Sequence, residues 1–427
     1  MTRLAEMTAA ELQQCHARIR ADYDAFQAKG FKLDMTRGKP SAEQLDLSND
    51  LLRLPGNLDW HQADGGDTRN YFGSIQGLPE ARALFAGIMG APPEQILIGN
   101  NSSLALMHDC VVFALLKGVP DGAGPWSKES PAFLCPVPGY DRHFAICETY
   151  GIEMIPVPLT GHGPDMDDVE RLAANPAVKG MWCVPKYSNP TAEIYAPEVV
   201  ERLAAMKTGA PDFRLFWDNA YASHHLTDAR PGLVNILDAC AAAGQPNRAL
   251  VFASTSKMTF AGGGLAMCAS SPENIRWLCE RLSKRTIGPD KLNQLRHVRF
   301  LKDEAGIDRL MAAHRRLLVP KFAAVDAALS RRLEGTGVAV WTKPQGGYFI
   351  SVDVMDGCAK RIVALAAEAG LALVPAGATF PYGRDPNDRN LRIAPSFPSL
   401  GDVATAADGI AICILLAATE ALLDRGR

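Results

Sequence analysis

Apolar residues fall into two kinds of pattern along the 427-residue chain. Near the start, Leu12, Cys15, Ile19 and Phe26 recur at helical spacing, which predicts a helix over residues 11–29. Further on, short unbroken apolar runs take over, at 96–98, 132–135, 152–157, 181–184, 214–217, 249–253 and 265–268. Strands that are apolar in succession rather than in alternation suit a sheet covered by helices on both faces. Their spacing leaves room for βαβ crossovers and predicts a mostly parallel α/β sheet over residues 65–310. After a helical section at 310–333 the pattern changes. Residues 338–341 and 348–352 read as paired strands around Pro344-Gln-Gly-Gly347, followed by a helix at 359–369, a strand at 371–374 and a terminal helix. That predicts a smaller α/β unit, joined by the N-terminal segment. The basic stretch Met35-Thr-Arg-Gly-Lys-Pro-Ser41 contains Gly and Pro, which argue against regular structure there.

Length sharpens this picture. A single core stops growing at roughly 250–300 residues. The expectation is therefore a large domain at 65–310 and a discontinuous small domain from 1–64 and 311–427. Apolar residues at 47% and charged residues at 21% exclude a disordered or fibrous chain. A net charge of −3 offers no polyanion-binding surface, so nucleic acid is not an expected partner. The N-terminus lacks the apolar core of a secretory signal. The uncharged stretch 409–419 falls short of the ~18 apolar residues of a membrane span, so no membrane association is expected. Ten scattered cysteines form no CxxC and no Cys/His cluster. The expectation is a reducing, cytoplasmic setting with neither disulfides nor a bound metal.

In open α/β sheets ligands collect beyond the carboxyl ends of the strands, and five such loops carry chemistry. After 96–98, Asn101, Ser102 and Ser103 bring hydroxyls and free N–H groups to a helix start, where they either cradle a phosphate or simply cap the helix. Tyr140 follows Pro136-Val-Pro-Gly139 and is either one wall of a planar-ligand site or an ordinary packed tyrosine. Asn189, held extended before Pro190, either points its amide into the crevice or belongs to a plain turn. Asp218 ends the apolar run Leu215-Phe-Trp217, where a carboxylate is costly unless a cation or donor meets it; Tyr221 lies three residues on. Lys257 follows Ser254-Thr-Ser256 and precedes Gly262-Gly-Gly264. It is either a solvated lysine at a strand end or one whose pKa is lowered enough for covalent work. A phosphate cradle, an aromatic wall, a carboxylate and a reactive lysine together fit pyridoxal phosphate, whose protonated ring acts as an electron sink. In the smaller unit, Arg392 lies within Asn390-Leu-Arg-Ile393, where its guanidinium needs either an internal Asp or Glu or a substrate carboxylate.

The chain resembles the class I/II aminotransferases of fold type I in five segments taken in order: Asn70-Tyr-Phe-Gly-Ser-Ile-Gln-Gly-Leu-Pro-Glu80, Ser188-Asn-Pro-Thr191, Trp217-Asp-Asn-Ala-Tyr221, Ser254-Thr-Ser-Lys257 and Leu391-Arg-Ile-Ala394. Thr36-Arg-Gly-Lys-Pro-Ser41 and Thr286-Ile-Gly-Pro-Asp-Lys291 are similar to a divergent bacterial subgroup of aspartate aminotransferases. The resemblance implies a fold type I architecture, with a mostly parallel mixed sheet between helices in a large domain and a smaller α/β domain. It implies that Lys257 bonds the cofactor's aldehyde carbon and shuttles the substrate proton, and that Asp218 pairs with the ring nitrogen. Asn189 and Tyr221 would bond the phenolic oxygen, while Tyr140 would stack on the ring. Asn101, Ser102, Ser103 and Ser254 would hold the phosphate, and Ser256 would also belong to the cofactor site. Tyr71 would reach the phosphate in the neighbouring subunit of a homodimer with shared active sites. Arg392 would hold the substrate α-carboxylate, and Gly38 would line the substrate side.

One departure stands out. Relatives place an Arg or Lys a few residues after the cofactor lysine, on the phosphate, whereas residues 258–265 contain no cation. Arg37, Lys186 or Lys291 are the candidates to replace it. The expected reaction is ping-pong transamination of L-aspartate and 2-oxoglutarate. A distal carboxylate then needs a second cation: Arg37 first, then Lys39, Arg285 and Lys291. The alternatives are an aminotransferase of aromatic, alanine or kynurenine specificity, or a β-lyase on the same scaffold. A non-catalytic regulator with an aminotransferase-like domain is disfavoured by the near-neutral charge, and a cofactor binder without turnover by the intact set of Lys257, Asp218 and Arg392.

Overall fold

Runs that are apolar at consecutive positions become strands covered on both sides. The computed structural model describes residues 3–71 and 73–425 and has twelve strands among them. In chain order they are β1 (Leu33–Asp34), β2 (Ile96–Ile98), β3 (Ala132–Val137), β4 (Glu153–Pro158), β5 (Val178–Cys183), β6 (Arg214–Asp218), β7 (Ala249–Ser254), β8 (Ala266–Ala269), β9 (Ala339–Trp341), β10 (Ile350–Val354), β11 (Leu371–Ala372) and β12 (Asn390–Ile393). Seven make one sheet in the order β2-β8-β7-β6-β5-β3-β4. The strands from β7 to β4 pair in parallel, while β8 is antiparallel to both of its neighbours. The reversal has a local cause. β7 and β8 are joined by the short glycine-rich segment 255–265 rather than a helical crossover, and so direct a connection reaches only an antiparallel partner.

β5, β6 and β7 are buried at every residue. Trp217, Val251 and Met267 pack on one face of the sheet, and Phe133, Phe216 and Phe252 on the other. β4, at the edge, is only partly buried and carries Pro156 and Pro158. An edge is where the missing proline N–H is tolerated.

The smaller α/β unit holds a three-stranded antiparallel sheet, β12-β10-β9, and the parallel pair β1-β11. Leu33 pairs with Leu371, which brings the N-terminal segment against the C-terminal part of the chain. Tyr23 and Phe26 from one end share a core with Leu329, Ile350 and Ile410 from the other. The first helix spans Ala9–Gln27 and starts on a capping box between Thr8 and Glu11. The long helix runs Glu304–Leu333, earlier than the apolar pattern implies, because the Asp303 side chain caps it by accepting from Gly306 N at 2.7 Å.

The C-terminal helix corrects one expectation. Residues 409–419 belong to a 26-residue helix, Leu400–Arg425, with a mean hydropathy of 1.9 over its most apolar window, enough by length and composition to cross a membrane. It is instead a core helix. Ile410, Ile414 and Leu416 are fully buried, and 72% of that window is covered by the rest of the fold.

The two units also meet through backbone. Leu226 N donates to Gln345 O at 2.8 Å and Gly347 N to His224 O at 2.9 Å. A Cβ on Gly346 would overlap the Tyr187 ring, so this contact needs glycine.

Candidate active site

The carboxyl ends of β5, β6 and β7 and one end of β12 surround a cavity of about 460 Å³. β6 delivers Asp218, only 4% exposed. Its Oδ2 lies 3.1 Å from His143 Nε2, while Oδ1 is buried and has no partner among the described residues. His143 sits on the helix Asp141–Thr149, its ring stacked on Trp182 of β5 at 4.4 Å and 9°. One carboxylate oxygen is thus anchored and the other awaits a donor, an arrangement that stays costly until a cationic N–H arrives.

Lys257 lies just beyond β7. Burial pushes its amine below the ordinary lysine value, opposed by the charge of Asp218. The turn that carries it is tightly tied. Thr255 N donates to Leu265 O and Leu265 N to Thr255 Oγ1, each at 2.8 Å, and Asn293 Nδ2 donates to Gly263 O and Gly264 O at 3.0 Å. A Cβ at Gly264 would press on Phe260 O, Thr255 Oγ1 and Ser256 N, which explains the glycine there. Lys257 Nζ stands 5.1 Å from the centre of the Tyr221 ring. Tyr221 is 3% exposed, and burial raises its phenol pKa. Tyr140 also lines the cavity, edge-on to His143 at 4.9 Å, with burial pushing its phenol up to about 12.

On the opposite wall, Arg392 Nη1 donates to Asp141 Oδ1 at 2.9 Å and to Asn189 Oδ1 at 3.4 Å. Its Nε is buried with no partner among the described residues, and its guanidinium carbon lies 5.1 Å from the centre of the Phe349 ring. Asp141 is therefore the internal carboxylate partner that sequence reading left open. Gly38, Arg37, Lys39 and Arg142 complete the walls.

The phosphate-side candidates lie apart from this cavity. Asn101 and Ser102 line a neighbouring one of about 150 Å³ together with Arg285 and Thr286. Ser102 does cap the helix Ser103–Lys117, accepting from Ala105 N at 3.1 Å, with Ser103 as its first residue. That bond leaves the Ser102 hydroxyl proton free to donate. Ser256 Oγ donates to Asn101 O at 3.1 Å, linking this helix start to the neighbour of Lys257. Ser254 is buried at the end of β7. Tyr71 is 82% exposed and outside both cavities, and Phe72 of the same motif lies outside the described residues.

The candidate cations separate as well. Arg37 and Lys39 line the main cavity, with Lys39 Nζ 3.7 Å from the centre of the Phe397 ring. Arg285 lies by the helix start, ion-paired to Asp109 at 3.3 Å. Lys291 approaches Gly73 and Gly288, and Lys186 faces a different cavity. Sequence reading missed His143, Asp141, Arg142 and Phe349. For His143 a signal existed: it falls three residues after Tyr140, on the same face of the next helix.

The aspartate amino-transferase family model matches residues 7–425. The chain belongs to this family. The aspartate aminotransferase of Corynebacterium glutamicum is 48% identical over 429 residues, covering 98% of this chain and 99% of its own. A crystal structure of an aspartate transaminase from the same species superposes with a TM-score of 0.96 at 48% identity, covering 99% of both chains. Thermus thermophilus LysN, an α-aminoadipate aminotransferase complexed with N-(5'-phosphopyridoxyl)-L-leucine, shares only the fold, at 23% identity and a TM-score of 0.71 over 96% of this chain and 98% of its own. The chain is thus an aminotransferase built on the fold type I architecture.

Proposed function

We propose that this aminotransferase uses pyridoxal 5'-phosphate to exchange the amino group between L-aspartate and 2-oxoglutarate. The observation that carries the cofactor assignment is the orphaned Oδ1 of buried Asp218, beside a lysine whose amine is depressed by burial. A protonated ring nitrogen is the donor that oxygen lacks. When bound, the cofactor supplies an electron sink for negative charge developing at the substrate α-carbon.

The residues divide the remaining work. Asp218, steadied by His143, keeps the ring nitrogen protonated, and Tyr140 covers the ring face. Asn189 and Tyr221 bond its phenolic oxygen. Lys257 holds the cofactor and then moves the proton at the substrate α-carbon, a task suited to an amine with a lowered pKa. Arg392 binds the α-carboxylate in place of Asp141, and Gly38 lines the space beside it. Arg37 binds the distal carboxylate; its place on the main cavity favours it over Arg285 and Lys291. Asn101, Ser102, Ser103, Ser254 and Ser256 serve the phosphate, with Arg285 supplying the charge missing after Lys257. Tyr71 completes the neighbouring site of a cytoplasmic homodimer; the ten free cysteines accord with a reducing compartment. The small domain, 1–64 with 311–427, moves over the large domain, 65–310, to exclude water.

Half-reaction rates across amino acids, read from the visible absorption of the holoenzyme, test the specificity. L-aspartate is expected to lead; a faster aromatic or alanine half-reaction would replace the dicarboxylate assignment and leave the cofactor assignment standing.

A further inference from the structure

The backbone at Lys257 is held by two buried side chains from distant parts of the chain. Tyr348 Oη donates to Lys257 O at 3.3 Å, and His314 Nε2 donates to Met258 O at 2.7 Å. Both side chains converge on one amide. Gln44 Nε2 lies 2.9 Å from Tyr348 Oη and 3.0 Å from His314 Nδ1, while Gln44 Oε1 accepts from Ser41 N at 3.1 Å. Gln44, His314 and Tyr348 are all buried. The directions of these bonds follow from the groups themselves. A carbonyl only accepts, so His314 carries its proton on Nε2. Burial holds its pKa below the ordinary histidine value, which leaves the ring neutral and Nδ1 free to accept. Tyr348 gives its one proton to Lys257 O and accepts from Gln44. The middle position therefore requires two donors on one atom, which an amide nitrogen has and a carboxylate lacks.

We propose that Gln44 is a positioning residue for amino transfer: through Tyr348 and His314 it fixes the backbone that aims the Lys257 amine at the substrate α-carbon, and through Ser41 it ties that backbone to the substrate side. Helix capping does not account for the arrangement. The capping box with Ser41 uses only the backbone N–H and Oε1 of Gln44, whereas both side-chain N–H groups turn to the holders of Lys257 and Met258. Residues 36–39 line the main cavity and end five positions before Gln44. Lys39 O in turn accepts from Ser396 Oγ at 2.9 Å, four positions after Arg392. One amide thus stands between the lysine's backbone and the segment that meets the substrate. A buried network with every member satisfied is rigid, and removing one member leaves the others unpaired. A reacting group misplaced by about 1 Å loses roughly 100-fold in rate. The inference rests on the reading of Lys257 as the group that moves the substrate proton.

The test is a single half-reaction of holoenzyme, read from its visible absorption at saturating amino acid. The amino acid is the one that reacts fastest with the wild type, carrying hydrogen or deuterium at the α-carbon, so a wrong choice of aspartate leaves the test intact. Gln44→Met should slow the half-reaction roughly 10–100-fold. Deuterium should slow this variant further, and by no less than it slows the wild type, because the proton step that Lys257 carries has become the slow one. Tyr348→Phe removes one oxygen and keeps the ring; it should slow the reaction in the same way, and it decides the matter if Gln44→Met does not fold. The double variant should be hardly slower than Gln44→Met, as for residues acting in one chain of bonds. The proposal falls if both single variants keep the wild-type rate whatever their stability, which would make the network structural only. It also falls if the slowed variants show no isotope effect, or if the double variant is slowed by the product of the two single factors. Lys257→Ala in the same assay tests the underlying reading by itself: a wild-type rate there would sink that reading, and the proposal with it.

Discussion

Asp141 occupies the guanidinium that the proposed substrate needs, so removing its charge should tighten carboxylate binding. In Asp141→Asn the side chain keeps its size and an oxygen that can accept from Arg392, but the charge is lost. The pair is neither fully exposed nor fully buried: the side chains are 8% exposed for Arg392 and 32% for Asp141. Its coupling should therefore lie between the ~0.2–1 kcal/mol of a surface pair and the ~3–5 kcal/mol of breaking a buried one. A value of about 1.4 kcal/mol corresponds to roughly tenfold in affinity. The assay is titration of holoenzyme with maleate, following the cofactor absorption, for wild type and Asp141→Asn at one pH and ionic strength. The dissociation constant should fall about tenfold in the variant, with weaker dependence on salt. An unchanged or weaker affinity would refute the reasoning, and would mean that Asp141 holds Arg392 in place for the substrate rather than competing with it.

Three further outcomes follow from other contacts. His143→Ala removes the partner of Asp218 Oδ2; kcat/KM should drop by roughly 10–100-fold, the value of a hydrogen bond to a charged group, with partial rescue in His143→Gln, and an unchanged value would count against the anchoring role. Burial lifts the Glu193 carboxyl from 4.5 to about 7. The native state then binds the extra proton between those values, so the stability contributed by the neutral form is present below pH 4.5 and lost as pH rises through 7. Glu193→Gln should therefore stabilise the protein by up to roughly 3 kcal/mol at pH 8 and hardly at pH 4.5, read from urea midpoints; equal effects at both pH values would contradict this. Gly346→Ala forces a methyl into the Tyr187 ring and should cost about 1–3 kcal/mol by the same denaturation assay, whereas an unshifted midpoint would show that the contact yields freely.

Local chemistry explains which features can be read from the chain alone. Asp218 directly follows the apolar run Leu215-Phe-Trp217, and Lys257 follows Ala249–Ala253 after three hydroxyl residues, so strand and polar terminus are visible in a few adjacent residues. The pairing of Leu33 with Leu371 has no such signal, because two residues between a helix and an irregular basic stretch show no strand pattern of their own. The reversed direction of β8 is not visible in its apolar residues; it comes from the shortness of the segment before it. The ion pair of Arg392 with Asp141 spans 251 positions and depends on how β12 of the smaller unit faces the helix after β3. His143 meets Asp218 across 75 positions, and its ring stacks on Trp182 from a different strand, neither of which the local sequence shows. Composition misleads at Leu400–Arg425, where only the surrounding helices distinguish a core helix from a membrane span. The separation of Lys186 and Lys291 from the main cavity likewise has no local signal.

The central claim is that Lys257, opposite Asp218 and Arg392, carries out amino transfer from aspartate. It is tested most directly by mixing holoenzyme with L-aspartate in a single turnover, for wild type and Lys257→Ala, and measuring the oxaloacetate released. The wild type should release about one equivalent per site as its visible absorption is lost, and Lys257→Ala should release almost none. Oxaloacetate at the wild-type rate from Lys257→Ala would contradict the account.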